Sequence, residues 1–541
     1  MRKLTCSLLL AVAATFVSSS PIAFAGEPPQ IPASKLPPVQ TPPDTHPPHR
    51  IGPAVPSPGA PLTLDRLEEM TISGAPYFTA YGDLMRQLRG GKSDGHMRAG
   101  TSEMRTSSSE MQVGSLATPT TTVNATADAI QDVESAVAAV TLSTTRWTST
   151  TFIKYEGGTV VRNWFSTTSN FSTFTRGPLP MPAGYDFSAD PLMSVNPYTS
   201  GIAPKRMYCV GIIYNNGAPQ GNAQSAIGVW RSDDGGRTWS NPTIAAYSGG
   251  GGHFLDKPAI AVSWHSGTLG YVYIAYIDFY NPDVNSSSVR VLRSTDGGLS
   301  FPTVAIPTFD AVATPQIAVN TSNGEVYTTW VNTREEDIRF ASSTDFGVSF
   351  GAHEKVAEGE QLRFGGNRII NGNVRAQTVP SMRYNWAAGK LMIVWHAGDN
   401  NTTDLTQIRY SHRPCTSQCN YWGWELAKTL NDVSTNDQFM PAIDFFSSGN
   451  SVVTFYDRRN TNNILYDQYM AYIDGNGNLL EPNKRIGTIR SNPQQNPNAF
   501  IGDYQDVWVH NYSDGQSASN AWVGTADTVN PTDVFLSRIF P

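Results

Sequence analysis

The 541-residue sequence contains little charge. Only 15% of its residues are Asp, Glu, Lys or Arg, and the formal net charge is −7. A mildly acidic chain lacks the basic patches that contacts with nucleic acid phosphates require, so we expect no nucleic acid partner. Ser, Thr, Asn, Gly and aromatic residues are abundant instead, which is typical of an exported β protein.

The sequence also lacks the motifs of several enzyme classes. It contains no phosphate-binding loop, no His-Glu-x-x-His zinc motif and no Ser-His-Asp order of the hydrolase type. We therefore expect neither a cofactor nor a catalytic metal. Beyond the N-terminus, no apolar run is long enough to cross a membrane.

Residues 1–25 have the three parts of a secretory signal peptide. Arg2 and Lys3 precede the apolar run Leu8–Val17, and the small residues Ala23 and Ala25 follow it. This order predicts cleavage after Ala25. We expect the mature protein to be secreted, periplasmic or attached to the cell surface, without an integral membrane segment.

The sequence has only four cysteines, and Cys6 belongs to the leader. Cys415 and Cys419, in "CTSQC", could close a small disulfide loop in an oxidising compartment or form half of a metal site. No cluster of His or Cys accompanies them, which favours the disulfide. Cys209 lies in a strand-like run and is predicted to be a buried free thiol.

A proline-rich stretch follows the leader and a Ser/Thr/Gly-rich stretch follows that. Prolines at this density pack neither as helix nor as interior strand, so the segment should be extended. We predict a disordered arm over residues 26–127 and a folded body over residues 128–541.

The folded body repeats one short pattern of proline and apolar residues about every 60 residues. It begins at Pro191, Pro258, Pro315, Pro380 and Pro441. A period near 60 with four short strands per unit predicts an all-β fold, a β-propeller of four-stranded antiparallel blades. Seven blades are predicted, beginning near residues 130, 187, 256, 311, 376, 437 and 498. Six is the alternative, because the first unit is the least regular.

Three units also share an acidic turn, written Ser-x-Asp-x-Gly-x-Thr/Ser-aromatic. The copies are "RSDDGGRTW", "RSTDGGLSF" and "SSTDFGVSF". Asp234, Asp296 and Asp345 can accept hydrogen bonds from the N–H groups of a turn, and the glycine that follows can adopt a positive φ. Because each residue type has a structural role, we interpret these turns as structural and not catalytic.

These turns resemble the Asp-box, or BNR repeat, of sialidases and related propellers. The stretches "DKPAIAV", "FYDRR" and "FIGDY" are similar to parts of secreted bacterial sialidase-like proteins, and the resemblance covers roughly residues 130–541. It implies a secreted glycoside hydrolase that cleaves terminal sialic acid, or another acidic sugar, from a glycan. It also implies that the acidic turns lie on the face away from the active site.

The resemblance further implies which residue types form the site. Arginines would bind the sugar carboxylate, a Tyr paired with Glu would be the nucleophile, and an Asp would be the general acid/base. The candidate nucleophile is Tyr504, its base is Glu335 or Glu336, and the acid is Asp256 or Asp278. The candidate substrate-binding residues are Arg334, Arg375, His396, Asp457, Arg458 and Arg459. The alternative is a non-catalytic propeller that binds glycan or protein at the cell surface. The sequence does not indicate the oligomeric state.

Overall fold

The computed structural model of the chain describes residues 121–540, except for short connecting segments. Those segments are residues 158–159, 200–201, 203, 216–224, 249–252, 281–286, 309–311, 365–368, 399–404, 416–418, 420–422, 497–498, 511–515 and 526–530. The predicted signal peptide and nearly all of the predicted arm lie outside the described residues.

Strand β1 (Thr121–Asn124) comes first, and four complete blades follow it. Blade 1 contains β2 (Asp132–Leu142), β3 (Thr145–Glu156), β4 (Val160–Thr168) and β5 (Thr175–Pro178). Blade 2 contains β6 (Phe187–Asn196), β7 (Arg206–Tyr214), β8 (Ser225–Ser232) and β9 (Thr243–Tyr247). Blade 3 contains β10 (His253–Val262), β11 (Val272–Tyr280), β12 (Ser287–Ser294) and β13 (Thr303–Thr308). Blade 4 contains β14 (Val312–Val319), β15 (Val326–Asn332), β16 (Asp337–Ser343) and β17 (Glu354–Ala357).

A short hairpin, β18 (Ile369–Ile370) and β19 (Val374–Arg375), precedes the last three blades. Blade 5 contains β20 (Ser381–Asn385), β21 (Lys390–Gly398), β22 (Thr406–Pro414) and β23 (Lys428–Thr429). Blade 6 contains β24 (Gln438–Phe445), β25 (Ser451–Asp457), β26 (Asp467–Ile473) and β27 (Lys484–Arg485). Blade 7 contains β28 (Asp506–His510), β29 (Ser517–Gly524) and β30 (Asp533–Ile539), with β1 as its outer strand.

The seven blades close into a ring. The first strand of each blade contacts the first strands of both neighbouring blades, and β28 lies against β2. The prediction of a seven-bladed propeller is therefore confirmed. The first strands of blades 1 to 6 begin within five residues of the predicted starts of their units, and the first strand of blade 7 begins at Asp506, eight residues after its predicted start.

Blade 7 is completed by the N-terminus of the described chain. Strand β1 pairs antiparallel with β30, and just beyond β1 the Ala125 N–H donates to Val534 O at 2.8 Å. Asn124 Nδ2 also donates to an oxygen of Asp533 at 2.7 Å. The described propeller thus begins at Thr121, inside the segment that the sequence assigned to the arm.

The inner strands carry a bulge where the sequence shows its repeated proline. In blades 2, 3, 4 and 6 the residue before that proline has a positive φ, and the strand ladder shifts register there; the residues are Asp190, Lys257, Thr314 and Met440. Glu134 has the same conformation in blade 1, where no proline follows. A bulge turns its side chain out of the regular alternation, so these positions can present polar groups from an otherwise apolar strand.

The three acidic turns fold alike, between the third and fourth strands of their blades. Asp234 Oδ1 accepts the N–H groups of Arg237 and Thr238, both at 3.0 Å, and Asp296 and Asp345 accept the equivalent pairs. Partial burial acts to raise the pKa of Asp234, but the bonds from Thr238 and Ser232 outweigh it and lower that pKa. The predicted hydrogen-bonding role of these residues is confirmed.

The turns define one face of the propeller. We call it the lower face, and it also carries the hairpins between first and second strands. The upper face carries the connections between second and third strands and the starts of the first strands. Since strands alternate in direction within a blade, the predicted site residues at second-strand ends lie at the end opposite the acidic turns.

The cysteines are arranged as the sequence indicated. Cys415 and Cys419 form a disulfide, and Cys209 is a buried free thiol in β7. Within the described residues, no helix is both long enough and apolar enough to cross a membrane.

Candidate functional site

Five charged side chains converge on the axis of the propeller, in the upper half of the ring. They are Glu134 in β2, Asp190 in β6, Lys257 in β10, Arg375 in β19 and Asp503 just before β28. We call this group the axial cluster. Each of the five residues is between 0% and 4% exposed.

The cluster contains three carboxylates and two cations in direct contact. One oxygen from each of Glu134, Asp190 and Asp503 lies within 4.8 Å of the others. Lys257 Nζ lies 3.3 Å from Asp190 Oδ1 and 3.7 Å from Asp503 Oδ2. Arg375 Nε lies 2.8 Å from Asp503 Oδ1. Buried carboxylates at this spacing need nearby positive charge, and the two cations supply it.

Backbone conformation brings these residues to the axis. Glu134, Asp190 and Lys257 are all positive-φ bulge residues of neighbouring inner strands. Gly502 has a φ of 100°, and a Cβ atom at this position would lie 2.5 Å from the backbone nitrogen of Glu134. Only glycine therefore allows the segment carrying Asp503 to approach blade 1 so closely.

Burial changes the acid strength of the cluster. Burial, reinforced by the charge of Asp190, raises the pKa of Glu134 well above its ordinary value. Burial acts to lower the pKa of Lys257, but Asp190 and Asp503 outweigh it and raise that pKa, so the ammonium group stays charged. Among the described residues, neither Glu134 oxygen nor Asp190 Oδ2 has a hydrogen-bond partner.

The described residues offer two groups of carboxylates close enough to ligate a cation. One is the three carboxylates of the axial cluster, and the other is Asp128, Asp132 and Asp533. Each group already contains an ammonium, since Lys154 Nζ lies 2.7 Å from Asp128 and 2.9 Å from Asp132. A lysine in that position supplies the charge that a metal would bring, so neither group fits a metal well.

Tyr504, the predicted nucleophile, belongs to the axial region. Its hydroxyl group donates to Pro191 O at 2.9 Å, and Lys257 Nζ lies 4.0 Å from its ring centroid. Burial and the charge of Glu134 raise the pKa of Tyr504 well above its ordinary value. Asp256, a predicted acid, is fully buried next to Lys257 in β10. The structure thus brings Tyr504, Arg375 and Asp256 to one region.

Asp278, the other predicted acid, lies in the second strand of blade 3. It is buried, and its carboxylate contacts His253 Nδ1 at 2.9 Å and Arg290 Nε at 2.7 Å. Both of its oxygens are thus used within the blade. This geometry explains the burial of Arg290.

The three predicted residues of blade 4 lie in the hairpin between β15 and β16. The N–H groups of Arg334 and Glu335 donate to Asn332 Oδ1, both at 3.0 Å, and Glu336 has a φ of 56°. The Glu335 side chain is half-exposed and binds Arg339 of the same blade. These residues lie in an upper-face turn between the second and third strands. The axial cluster comes instead from first strands, from β19 and from the segment just before β28.

The predicted residues of blade 6 form ion pairs with nearby aspartates. Arg458 Nη1 lies 3.3 Å from Asp437 Oδ2 and donates to the carbonyl oxygen of residue 371 at 2.9 Å. Arg459 contacts Asp432 at 2.6 Å and Asp457 at 2.8 Å. Burial lowers the pKa of Arg458 to about 10, while Asp437 acts in the opposite direction. Each guanidinium group therefore has an aspartate partner within the fold.

His396 is buried between blades 5 and 6 as a neutral ring. Its Nε2 lies 3.0 Å from Ala376 O, and the Met440 N–H donates to Nδ1 at 3.3 Å. These partners require the tautomer with the proton on Nε2. Burial lowers the pKa of His396 to about 4.

Acidification is expected to destabilise the fold through His396. The unfolded chain takes up this proton near the ordinary pKa of 6.5, whereas the folded chain does so only near 4. The stability that His396 confers is therefore present above pH 6.5 and lost as the pH falls towards 4, by about 3 kcal/mol at about 1.4 kcal/mol per pKa unit. Urea denaturation at several pH values should show a smaller loss for His396→Gln than for the wild type. His353→Gln, which changes an exposed histidine, should behave as the wild type does.

The sequence prediction missed four of the five members of the axial cluster. Asp190 and Lys257 immediately precede the repeated proline, at a position occupied by Thr314 and Met440 in other blades. A charged residue just before the repeated proline was the sequence signal that could have identified Asp190 and Lys257. Glu134 and Asp503 gave no such signal, because blades 1 and 7 lack the proline.

Comparisons with known proteins found distant structural likenesses. No family model and no curated protein matches the sequence. An α-L-arabinanase of Penicillium chrysogenum in complex with arabinobiose is 13% identical over 66% of this chain and 95% of that chain, with a TM-score of 0.43. An intramolecular trans-sialidase from Ruminococcus gnavus is 11% identical over 64% and 95%, with a TM-score of 0.43. A Hadza microbial sialidase is 15% identical over 60% and 63%, with a TM-score of 0.40.

Proposed function

We propose that the protein is a glycoside hydrolase that uses Glu134 as general acid and Asp190 as nucleophile. The observation that carries this proposal is a pair of buried carboxyl groups with oxygens within 4.8 Å of each other. The pKa of Glu134 is raised well above its ordinary value, and the Oδ2 atom of Asp190 is unpartnered among the described residues. Two carboxyl groups with opposite protonation states are the chemical requirement of glycoside hydrolysis. Lys257 Nζ lies 3.3 Å from Asp190 Oδ1 and places a positive charge beside the second group.

The spacing of the pair indicates the stereochemistry. Glu134 and Asp190 have oxygens within 4.8 Å of each other. Retaining enzymes hold their carboxyl groups about 5 Å apart, whereas inverting enzymes leave about 6.5–9.5 Å for a water molecule. We therefore propose a retaining reaction. Asp190 Oδ2 bonds to the anomeric carbon while Glu134 protonates the departing glycosidic oxygen. Water, deprotonated by Glu134, then releases the sugar from Asp190.

The charges around the pair favour a neutral sugar. Sialic acid binding would require arginines that are available to its carboxylate. Arg375, Arg458 and Arg459, which were predicted for this purpose, each contact an aspartate of the protein. The proposal therefore places a neutral glycoside above sialic acid as the substrate, and the sialic acid prediction is tested beside it.

The features outside the cluster agree with this chemistry. The three acidic turns resemble the Asp-box of secreted glycosidases, and the leader predicts export. Both support a hydrolase that acts on extracellular glycans. They support the class of the enzyme and not the identity of its sugar.

Hydrolysis of fluorescent umbelliferyl glycosides tests the proposal. We expect release from at least one neutral pentoside or hexoside, and a loss of about 10³-fold in kcat for Asp190→Asn, which removes the nucleophile. Tyr504→Phe is the matched control, since its hydroxyl group bonds to a backbone carbonyl. Loss of activity in Tyr504→Phe, together with release from the sialoside alone, would contradict the carboxylate pair and favour the sialidase prediction.

Burial favours a second candidate function. Glu134, Asp190 and Asp503 are at most 1% exposed, so a sugar reaches them only if neighbouring side chains move. In this alternative the cluster ties the inner strands together, and the propeller binds glycans without cleaving them. A folded protein that binds a glycan but releases umbelliferone from none of the neutral or acidic glycosides would contradict the hydrolase and favour the binding function.

A further inference from the structure

A second polar site lies at the other end of the propeller axis. A cavity of about 100 Å³ opens between the lower ends of the inner strands of blades 2 to 7. Its distinctive lining residues are Trp264, Arg383, Trp386, Asp444 and Trp508. We call it the lower pocket, because these residues lie towards the face that carries the acidic turns.

The lower pocket is separate from the axial cluster. Both sites include residues of β6, since Asp190 belongs to the cluster and Ser194 lines the pocket. Four strand residues span roughly 13 Å, so the two sites lie at different levels of the axis. A ligand in the lower pocket therefore need not contact Glu134 or Asp190.

Tryptophan rings form the apolar part of the lower pocket. Trp386 is 41% exposed at the start of the hairpin after β20, and it packs edge-on against Phe445 with ring centroids 6.3 Å apart. Trp264 packs edge-on against Trp508 at the same distance. Trp264 Nε1 also donates to Val195 O at 3.0 Å, which fixes the plane of the indole ring. Large rings held rigidly at the edge of a cavity indicate a surface for a flat, weakly polar ligand.

The polar part of the lower pocket combines acceptors and a donor. Arg383 Nη2 lies 3.3 Å from Asp506 Oδ1, beside the pocket residue Asp444. The Val509 N–H donates to Asp444 Oδ2 at 2.6 Å, which holds that carboxylate in place. Burial raises the pKa of both aspartates to about 6, while Arg383 acts to lower it. Asp506 lies behind Arg383 and does not line the cavity, so above pH 7 the lining presents one carboxylate, Asp444, and one guanidinium, Arg383.

These charges determine the class of ligand. The lining charges of Asp444 and Arg383 balance, since the carboxylate repels an acidic sugar and the guanidinium repels an amine, so neither charged class is favoured. Hydroxyl groups can donate to the carboxylate and accept from the guanidinium. The C–H face of a sugar ring, slightly positive, suits the negative face of an indole ring. We propose that the lower pocket binds one neutral monosaccharide unit of a glycan, as a second site beyond the proposed hydrolase.

Binding to the intact protein tests this proposal. The neutral probes are the methyl glycosides of glucose, galactose and arabinose, and the charged probes are glucosamine and sialic acid. Tryptophan fluorescence and calorimetry measure binding at about pH 7.5, above the pKa of both aspartates. We expect a saturable signal with at least one neutral glycoside. Trp386→Ala and Asp444→Asn should each weaken this binding at least about tenfold, as loss of a stacking face or of an ionised acceptor predicts.

Two control variants accompany the measurement. Leu426→Ala changes a side chain that is 88% exposed and does not line the pocket, so binding should be unchanged. Asp190→Asn should also keep the wild-type Kd, because it alters only the axial cluster. Thermal melting checks that the Asp444→Asn protein is folded. The proposal is overturned if no neutral glycoside gives a saturable signal, if Trp386→Ala binds as the wild type does, or if glucosamine or sialic acid binds more tightly than every neutral probe.

Discussion

A chain that begins at residue 128 is expected to be less stable than one that begins at residue 119 by at least about 4 kcal/mol, since each lost hydrogen bond is worth about 1 kcal/mol. The shorter chain lacks β1, whose four residues pair with β30. It also lacks the bond from the Ala125 N–H to Val534 O and the bonds that Asn124 and Thr126 make to Asp533. Urea denaturation of the two proteins measures the difference.

Removal of β1 should also change the association state. Strand β30 would become the edge of blade 7, with unpaired N–H and C=O groups facing solvent. We therefore expect aggregates of the shorter chain in size-exclusion chromatography. Val123→Pro in the full chain is the matched test, because proline removes an N–H group inside β1. Equal unfolding midpoints for chains that begin at residues 119 and 128 would show that β1 does not close the ring in solution.

The repeated features of the sequence were sufficient to predict the fold. Pro191, Pro258, Pro315 and Pro441 each follow an inner-strand bulge, and Pro380 immediately precedes β20. The spacing of these prolines therefore reports the spacing of blades. The acidic turns were equally informative, since Asp, Gly and Ser or Thr each satisfy a local hydrogen-bonding or φ requirement that a short sequence window contains.

Ring closure could not be predicted in the same way. Strand β1 has the sequence "TTVN", lies within a Ser/Thr-rich stretch and is largely half-buried. An outer strand of a blade needs no apolar alternation, so the segment resembled a linker. Its partner also lies far away in sequence, since Thr121 pairs with Arg538. Pairing over such a distance leaves no local signal.

The candidate site was only partly predictable for a different reason. The predicted site residues were placed at the connections between strands, because exposed loops commonly carry function. Asp190 and Lys257 instead lie inside inner strands, where a bulge turns them towards the axis. Arg458 and Arg459 do lie at the predicted connection, but their partners Asp437 and Asp432 come from earlier in the chain. Burial and pairing depend on the three-dimensional structure. The sequence therefore indicated these arginines as candidate ligand-binding residues but did not show that each one pairs with an aspartate.

The largest expected effect on activity is that of Glu134→Gln. The amide has nearly the shape of the acid but cannot protonate a departing oxygen, so kcat should fall about 10³-fold on glycosides with poor leaving groups. The dinitrophenolate group departs without a proton, so the hydrolysis of dinitrophenyl glycosides should fall much less. The Asp190→Asn protein is the matched control, because loss of a nucleophile slows substrates of both kinds.

The pH dependence separates an acid from a structural role for Glu134. A general acid must be protonated, so the activity that depends on Glu134 is present below its pKa and lost as the pH rises through it. Burial and Asp190 raise that pKa well above the ordinary value, which moves the alkaline decline to higher pH than an ordinary glutamic acid would give. The Glu134→Gln protein has no such proton and should show no decline of this origin. Suppose that in Glu134→Gln the hydrolysis of both kinds of glycoside slowed equally and the alkaline decline persisted. Glu134 would then support the inner strands without donating a proton.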